Sequence, residues 1–114
     1  MSVLLAEDDL DIRDVLADML RAEGFEVLEA GNGREALQLA LTQRPNVIVT
    51  DLMMPMMDGR ELISALKARA ALSTVPIIVI TAFRGYTDGL AADRMLAKPF
   101  DLDELTAAIH ELAA

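Results

Sequence analysis

The sequence contains no cysteine, which excludes a disulfide framework and any thiolate chemistry and fits a reducing compartment. Positive charge is also scarce: 10 Lys and Arg residues stand against 19 Asp and Glu residues, so the net charge is −9. Nucleic acids and anionic membranes attract a positive field, and this balance therefore argues against direct binding to either.

Long hydrophobic runs are missing as well. The longest, from Val75 to Ala82, is interrupted by Pro76 and is far shorter than a membrane-spanning helix. The apolar start of the chain reaches Glu7 too soon to form the core of a signal peptide. We therefore expect a cytoplasmic protein that does not span a membrane.

The chain does have enough apolar material for one core. Its 114 residues are 54% hydrophobic and 25% charged, so we expect a single domain covering residues 1–114. Its short, mostly aliphatic segments lack strict alternation, as expected for strands covered on both faces. The predicted strands are Val3–Ala6, Phe25–Ala30, Val47–Asp51, Pro76–Thr81 and Arg94–Ala97.

Segments with helical periodicity separate these strands. In the first, apolar residues from Ile12 to Leu20 recur at every third or fourth position, and Gly24 follows as a natural end. Between Ala82 and Asp93 two glycines each cost a helix about 1 kcal/mol relative to alanine, so we expect one short helix there at most. The other predicted helices are Gly33–Gln43, Gly59–Ala71 and Asp101–Leu112, the last with Asp101 as its N-cap.

This order of elements predicts an α/β fold. We expect an open, doubly wound, five-stranded parallel sheet with the flavodoxin-like order 2-1-3-4-5, in which the helix between the fourth and fifth strands is shortened or missing. The carboxyl ends of strands 1, 3, 4 and 5 then share one crevice, which is where such sheets bind ligands.

Each of these strand ends carries a chemically useful side chain. Glu7 and Asp8 follow the first strand, Asp51 closes the third, Thr81 ends the fourth, and Lys98 follows the fifth. Three carboxylates close together repel one another unless a cation lies among them, and an all-oxygen site favours Mg²⁺. With a lysine and a hydroxyl beside it, Asp51 suits phosphoryl transfer as a nucleophile that forms an acyl phosphate.

Four motifs, Glu7-Asp8, Asp51 to Gly59, Thr81-Ala82 and Lys98-Pro99-Phe100, together resemble the motif set of a response-regulator receiver domain. The resemblance covers nearly the whole chain. It implies a phosphorylated regulatory domain of bacterial two-component signalling, catalysing only its own phosphorylation and dephosphorylation. The implied partner is a sensor histidine kinase or a phosphotransfer protein. Whether phosphorylation also produces a dimer is an open question.

The resemblance also implies which residues bind the metal ion and which residue accepts the phosphoryl group. Asp51 accepts the phosphoryl group, Asp8 binds Mg²⁺ directly, and Glu7 acts mostly through water. Met53 contributes only its backbone carbonyl to the metal.

Two further residues are implied to contact the phosphoryl group. Lys98 pairs with it, and Thr81 moves toward it as part of the switch. The Lys98–Pro99 bond is expected to be cis, a geometry that proline makes accessible.

Two features depart from the family pattern. The position three residues before Lys98 usually carries an aromatic switch side chain, and here it is Met95. The segment between Thr81 and Lys98 is also several residues shorter than usual, so we expect a non-standard output face. Phe83 or Tyr86 could replace the aromatic, but we favour Met95 filling the pocket passively.

Other polar and sulfur-bearing residues have structural interpretations. Asp9 and Asp11 suit the start of a helix, Asp58-Gly59 suits a turn and helix start, and His110 suits a helix surface rather than a phosphohistidine relay. The four methionines between positions 53 and 57 are typical of adaptable filler beside a loop rather than of a copper(I) site.

Two other functions stay open from the sequence. A phosphorylation-independent interaction module would keep the fold but not the switch. An Mg²⁺-dependent phosphohydrolase would also use an aspartyl phosphate, although Met53 stands where a general base would be useful. The chain could act alone or belong to a longer protein, and the cognate kinase and target are not encoded.

Overall fold

In the computed structural model, which describes residues 1–82 and 89–113, five parallel strands form one sheet in the order β2-β1-β3-β4-β5. This confirms the predicted α/β class and strand order. The pairing is regular: Ala6 is in register with Ala30 on one side and Thr50 on the other, and Thr81 is in register with Ala97. The strands are β1 Ser2–Ala6, β2 Glu26–Ala30, β3 Val47–Asp51, β4 Ile77–Thr81 and β5 Arg94–Ala97.

The described residues form four helices, and side-chain caps begin three of them. Asp9, Asn32 and Asp58 each accept a hydrogen bond from the backbone N–H three residues later, which satisfies a donor that a helix start leaves free. The structural interpretations of Asp9 and Asp58 are thereby confirmed. The helices are α1 Leu10–Ala22, α2 Gly33–Gln43, α3 Gly59–Lys67 and α4 Leu102–Ala113.

The third helix ends earlier than its periodicity predicted. It stops at Lys67 instead of Ala71, because the chain turns through hydrogen bonds from Leu72 to Arg69 and from Val75 to Leu72. This turn buries Leu72 in the core, where it packs with residues of α2, α3 and the sheet.

The sheet is covered on both faces, which explains why its strands lack hydrophobic alternation. Leu4, Ile48 and Val79 face a core shared with α2 and α3, whereas Leu5, Val49 and Ile80 face a core shared with α1 and α4. Successive residues of a strand point to opposite faces, so each strand contributes to both cores.

The predicted short helix between β4 and β5 falls mostly on residues 83–88, which lie outside the described residues, as do Phe83 and Tyr86. The described part of this crossover, residues 89–93, contains no helix. Its Asp93 carboxylate accepts a hydrogen bond from the N–H of Ile77 at 2.8 Å and fixes the approach to β5. Among the described helices, none is both long and apolar enough to cross a membrane.

The prediction that Met95 fills a pocket is wrong, because this residue is 45% exposed. Met95 pairs with Val79 on the face that carries α2 and α3, and β5 is the edge strand of the sheet. Leu90 and Ala92 of the crossover pack against that core, whereas Met95 stays exposed.

Candidate functional site

The ends of β1 and β3 bring three carboxylates together. One oxygen each from Glu7, Asp8 and Asp51 lies within 4.8 Å of the other two. Glu7 and Asp51 are buried, whereas Asp8 is exposed at the mouth of the crevice. The proximity follows from the topology, because β1 and β3 are adjacent parallel strands whose carboxyl ends meet at one edge.

Lys98 joins this cluster from the end of β5. Its Nζ lies 2.6 Å from Oδ2 of Asp51 and 3.2 Å from Oε1 of Glu7. Its backbone N–H donates to the carbonyl of Thr81 at 2.9 Å, which continues the β4–β5 pairing by one residue. The Lys98–Pro99 bond is cis, as the resemblance implied.

The charges of the cluster perturb one another. Burial and the negative charge of Asp51 raise the pKa of Glu7, and Lys98 offsets only part of this. Burial by itself lowers the pKa of Lys98, but its hydrogen bond to Asp51 and the charges of Asp51 and Glu7 outweigh that effect and raise the pKa overall. A protonated lysine therefore contacts two of the three clustered acids, and the excess negative charge of the cluster fits a hard divalent cation such as Mg²⁺.

The loop between β3 and α3 is held close to Asp51. The N–H of Met53 donates to Oδ1 of Asp51 at 3.2 Å, and Met53 is 54% exposed. The backbone N–H of Met53 is thus beside Asp51, and the carbonyl ligand implied by the resemblance stays a prediction.

Two glycines allow this loop to pack tightly. The N–H of Gly33 donates to the carbonyl of Met57 at 2.8 Å, and a Cβ at Gly33 would lie only 2.1 Å from that oxygen. A Cβ at Gly59 would lie 2.4 Å from the carbonyl oxygen of Asp51. Sequence reasoning identified Gly59 only as part of a helix start and assigned no special role to Gly33.

Thr81 and Met95 occupy different environments. Thr81 is the last residue of β4 and is 2% exposed, at the same edge of the sheet as Asp51 and Lys98. Met95 lies within β5, two residues before the strand ends, and does not reach this edge.

Arg13 is a residue of the site region that sequence reasoning missed. Its Nη1 donates to the backbone carbonyl of Glu7 at 3.0 Å, and its Nε lies 3.5 Å from Oε1 of Glu29. The sequence feature that could have indicated Arg13 is its position as the single arginine within the acidic stretch from Asp8 to Asp18.

An apolar groove of about 480 Å³ opens beside the carboxylate cluster. Lys98 belongs to both, because its side chain also lines the groove. The α1 wall exposes Val15 at 58%, Ile12 at 42% and Met19 at 41%. The remaining lining residues are Asp11, Leu16, Pro99, Phe100 and Leu102.

Comparison with known proteins identifies the family of this fold and site. A family model described as the response regulator receiver domain matches residues 3–110. The chain belongs to this family. Receiver domains are regulatory, so membership argues against the open alternative of a phosphohydrolase.

The similar proteins include both transcriptional regulators and sensor kinases. The transcriptional regulatory protein PdtaR of Mycobacterium tuberculosis is 43% identical across 95% of this receiver domain and 54% of its own length. This chain spans about half the length of the curated relatives it matches.

Two solved receiver structures are similar to this chain over nearly its whole length. One is the receiver domain of a sensor histidine kinase from Pseudomonas aeruginosa with a magnesium ion in its active-site cleft, at TM-score 0.92 and 30% identity over 98% of this chain and 96% of that one. The other is response regulator TrrA from Thermotoga maritima in complex with Mg²⁺ and BeF, at TM-score 0.89 and 31% identity over 97% of each.

Proposed function

We propose that this receiver domain accepts a phosphoryl group on Asp51 from a sensor histidine kinase or a phosphotransfer protein, with Mg²⁺ as cofactor. The observation that carries the proposal is the set of contacts around Asp51. Its Oδ2 is 2.6 Å from Lys98 Nζ, and its carboxylate lies in the 4.8 Å cluster with Glu7 and Asp8. The magnesium ions held by the two similar receivers support the cofactor.

Asp51 is the nucleophile of the proposed transfer. One of its carboxylate oxygens attacks the phosphorus of a phosphohistidine on the donor, a P–O bond forms, and the P–N bond breaks with its electron pair retained by the imidazole nitrogen. Lys98 then pairs with a phosphoryl oxygen, and Thr81 offers its hydroxyl to another.

The acidic residues and one carbonyl are proposed to hold the cation. Asp8 and Asp51 bind it directly, the carbonyl of Met53 completes the protein ligands, and Glu7 acts through water. When bound, Mg²⁺ supplies neutralisation of the charge on the transferring phosphoryl group.

The apolar groove is the proposed docking surface for the donor. A phosphohistidine must come within bonding distance of Asp51, and Lys98 places the groove directly beside that carboxylate. Exposed Ile12, Val15 and Met19 on one helical face suit an apolar helix face of the donor. The acidic surface around them favours a donor with basic residues at the rim of its contact.

Beryllofluoride with Mg²⁺ tests the phosphoacceptor directly, because it mimics a phosphoryl group on a carboxylate. We expect tight, Mg²⁺-dependent binding by the wild type, seen by calorimetry, and none by Asp51→Asn. Asp58→Asn is the matched control, since Asp58 lies in the same loop but caps α3, and asparagine caps equally well. Equal binding by wild type and Asp51→Asn would sink the proposal.

One observation favours a second candidate, a receiver-like interaction module that binds its partner without switching. Met95 replaces the usual aromatic and is 45% exposed. Backbone amide spectra distinguish the two functions. Under the leading proposal beryllofluoride shifts signals in β4, β5 and α4, whereas a non-switching module shifts only the residues that touch the ligand.

We further propose that residues 1–114 act as one receiver domain in the cytoplasm, without direct contact to nucleic acid or membrane, in keeping with the net charge of −9. A phosphorylation-dependent dimer is the first output to test. Light scattering with and without beryllofluoride measures it, and an unchanged monomer mass would contradict it.

A further inference from the structure

Arg13 reaches from α1 to the turn that carries two of the acidic residues. Strand β1 ends at Ala6, so the carbonyl of Glu7 lies beyond the last paired residue of the sheet. Nη1 of Arg13 donates to that carbonyl at 3.0 Å. The arginine thus supplies a donor just where the strand ladder stops providing one.

The main chain of Glu7 is consequently held on both sides. Its N–H donates to the carbonyl of Ala30 at 3.0 Å, and its carbonyl is held by Arg13. Arg13 also forms an ion pair with Glu29 of β2, at 3.5 Å from Nε to Oε1, but this buried Nε has no hydrogen-bond partner among the described residues. The neighbouring Gly31 leaves room for the guanidinium, because a Cβ there would lie 2.8 Å from Nη1.

The direction of the Glu7 carbonyl determines where the next residue goes. A peptide unit is planar, so fixing this carbonyl also fixes the N–H of Asp8 and the direction in which the chain leaves the strand. Asp8 is the exposed member of the cluster, and with the turn on this course its carboxylate lies within 4.8 Å of the other two.

We propose that Arg13 is a positioning residue for the cation site, holding the Glu7-Asp8 turn so that the carboxylates of Asp8 and Asp51 face one divalent ion. The inference rests on the proposed Mg²⁺-dependent function. For the loss of Arg13, this inference and simple electrostatics predict opposite changes in Mg²⁺ affinity. Removing a nearby positive charge should tighten cation binding, whereas loss of positioning weakens it.

The chain offers a matched control in Arg21, which lies on the same helix. Arg21 also contacts Glu29, at 3.1 Å, and donates to a backbone carbonyl, that of Val27, but touches none of the acidic cluster. We would compare Arg13→Met with Arg21→Met, titrating Mg²⁺ by calorimetry. The free energy of unfolding in EDTA is measured separately, because a purely structural role would change only that quantity.

We expect Arg13→Met to weaken Mg²⁺ binding about tenfold, as is typical when a residue that orients a metal ligand is lost, and Arg21→Met to bind like the wild type. Arg13→Lys should recover part of the affinity, since its ammonium can still donate to the Glu7 carbonyl. Phosphorylation of Arg13→Met by acetyl phosphate should need more Mg²⁺ but approach the wild-type rate at saturation.

Mg²⁺ affinity in Arg13→Met that is equal to or tighter than wild type would overturn the inference. A wild type that binds no Mg²⁺ would overturn the proposed function as well, so the two failures are distinct. If Arg13→Met does not fold, Gly31→Ala carries the test, because its added Cβ displaces the guanidinium without removing it. We expect a smaller loss of Mg²⁺ affinity there, and unchanged affinity would count against the inference.

Discussion

The ammonium nitrogen of Lys98 lies 2.6 Å from Oδ2 of Asp51, although the two residues are far apart in the sequence. The same nitrogen is 3.2 Å from Glu7. In the metal-free protein this lysine offsets part of the repulsion among the acids. In the proposed phosphorylated form it is already beside the phosphoryl oxygens and needs little rearrangement to bind them.

Replacement of Lys98 should separate catalysis from metal binding. We expect Lys98→Met to slow phosphorylation by acetyl phosphate about a hundredfold, because a charged donor to the transition state is lost. Mg²⁺ binding should be as tight or tighter, because the cluster becomes more negative. Lys67→Met is the control, since Lys67 lies at the end of α3 and its ammonium donates to the backbone carbonyl of Ser73. If Lys98→Met were phosphorylated at the wild-type rate, Lys98 would have no part in the transfer step.

Glu7 should make the metal-free protein pH-sensitive. Burial and the charge of Asp51 raise its pKa, so the folded state disfavours the ionised form. A raised pKa contributes stability that is present below the unfolded-state pKa and is lost as the pH rises through the folded-state pKa. In EDTA at neutral pH, Glu7→Gln should therefore have a higher free energy of unfolding than the wild type.

This gain should disappear below the ordinary pKa of a glutamate, where Glu7 is protonated in both states. It should also shrink when Mg²⁺ is added, because the cation stabilises the ionised wild type. Urea unfolding at neutral and acidic pH, with EDTA or Mg²⁺, measures both effects. If the gain in unfolding free energy of Glu7→Gln did not change with pH, the ionisation of Glu7 would not be its cause.

Gly33→Ala should disturb both stability and the site. The added Cβ meets the carbonyl oxygen of Met57, so the loop that carries Met53 must shift. We expect a loss of about 1–3 kcal/mol in unfolding free energy and weaker Mg²⁺ binding. Gly24→Ala is the control. Gly24 has φ +96° and open space around it, so alanine there costs about 1–2 kcal/mol from backbone strain. Its Mg²⁺ affinity should stay at the wild-type value.

The groove on α1 should matter for protein donors and not for small ones. With an autophosphorylated histidine kinase that phosphorylates the wild type, Val15→Glu should lower kcat/KM about tenfold, because a charge replaces an apolar contact. Acetyl phosphate should phosphorylate the variant at the wild-type rate. Leu41→Glu is the matched control, since Leu41 is an exposed apolar residue of α2 outside the groove. Equal losses in the two variants would place the docking surface elsewhere.

Part of the site could be predicted because it depends only on where strands end. The acids, Thr81 and Lys98 stand at strand ends in the sequence, and parallel strands bring those ends to one edge. The contact between Arg13 and Glu7 could not be predicted in this way. It depends on how α1 packs across β1 and β2, which no local pattern specifies.

The sequence by itself predicted the strands and helices, because hydrophobic periodicity is a local property. The crossover rule and the common order of doubly wound sheets then predicted the fold class, the strand order and the residues at the crevice. Tertiary structure alone decided that α3 ends at Lys67, that Gly33 must lack a side chain, and that Met95 is exposed on an edge strand. Each of these depends on which atoms of distant segments occupy the neighbouring space.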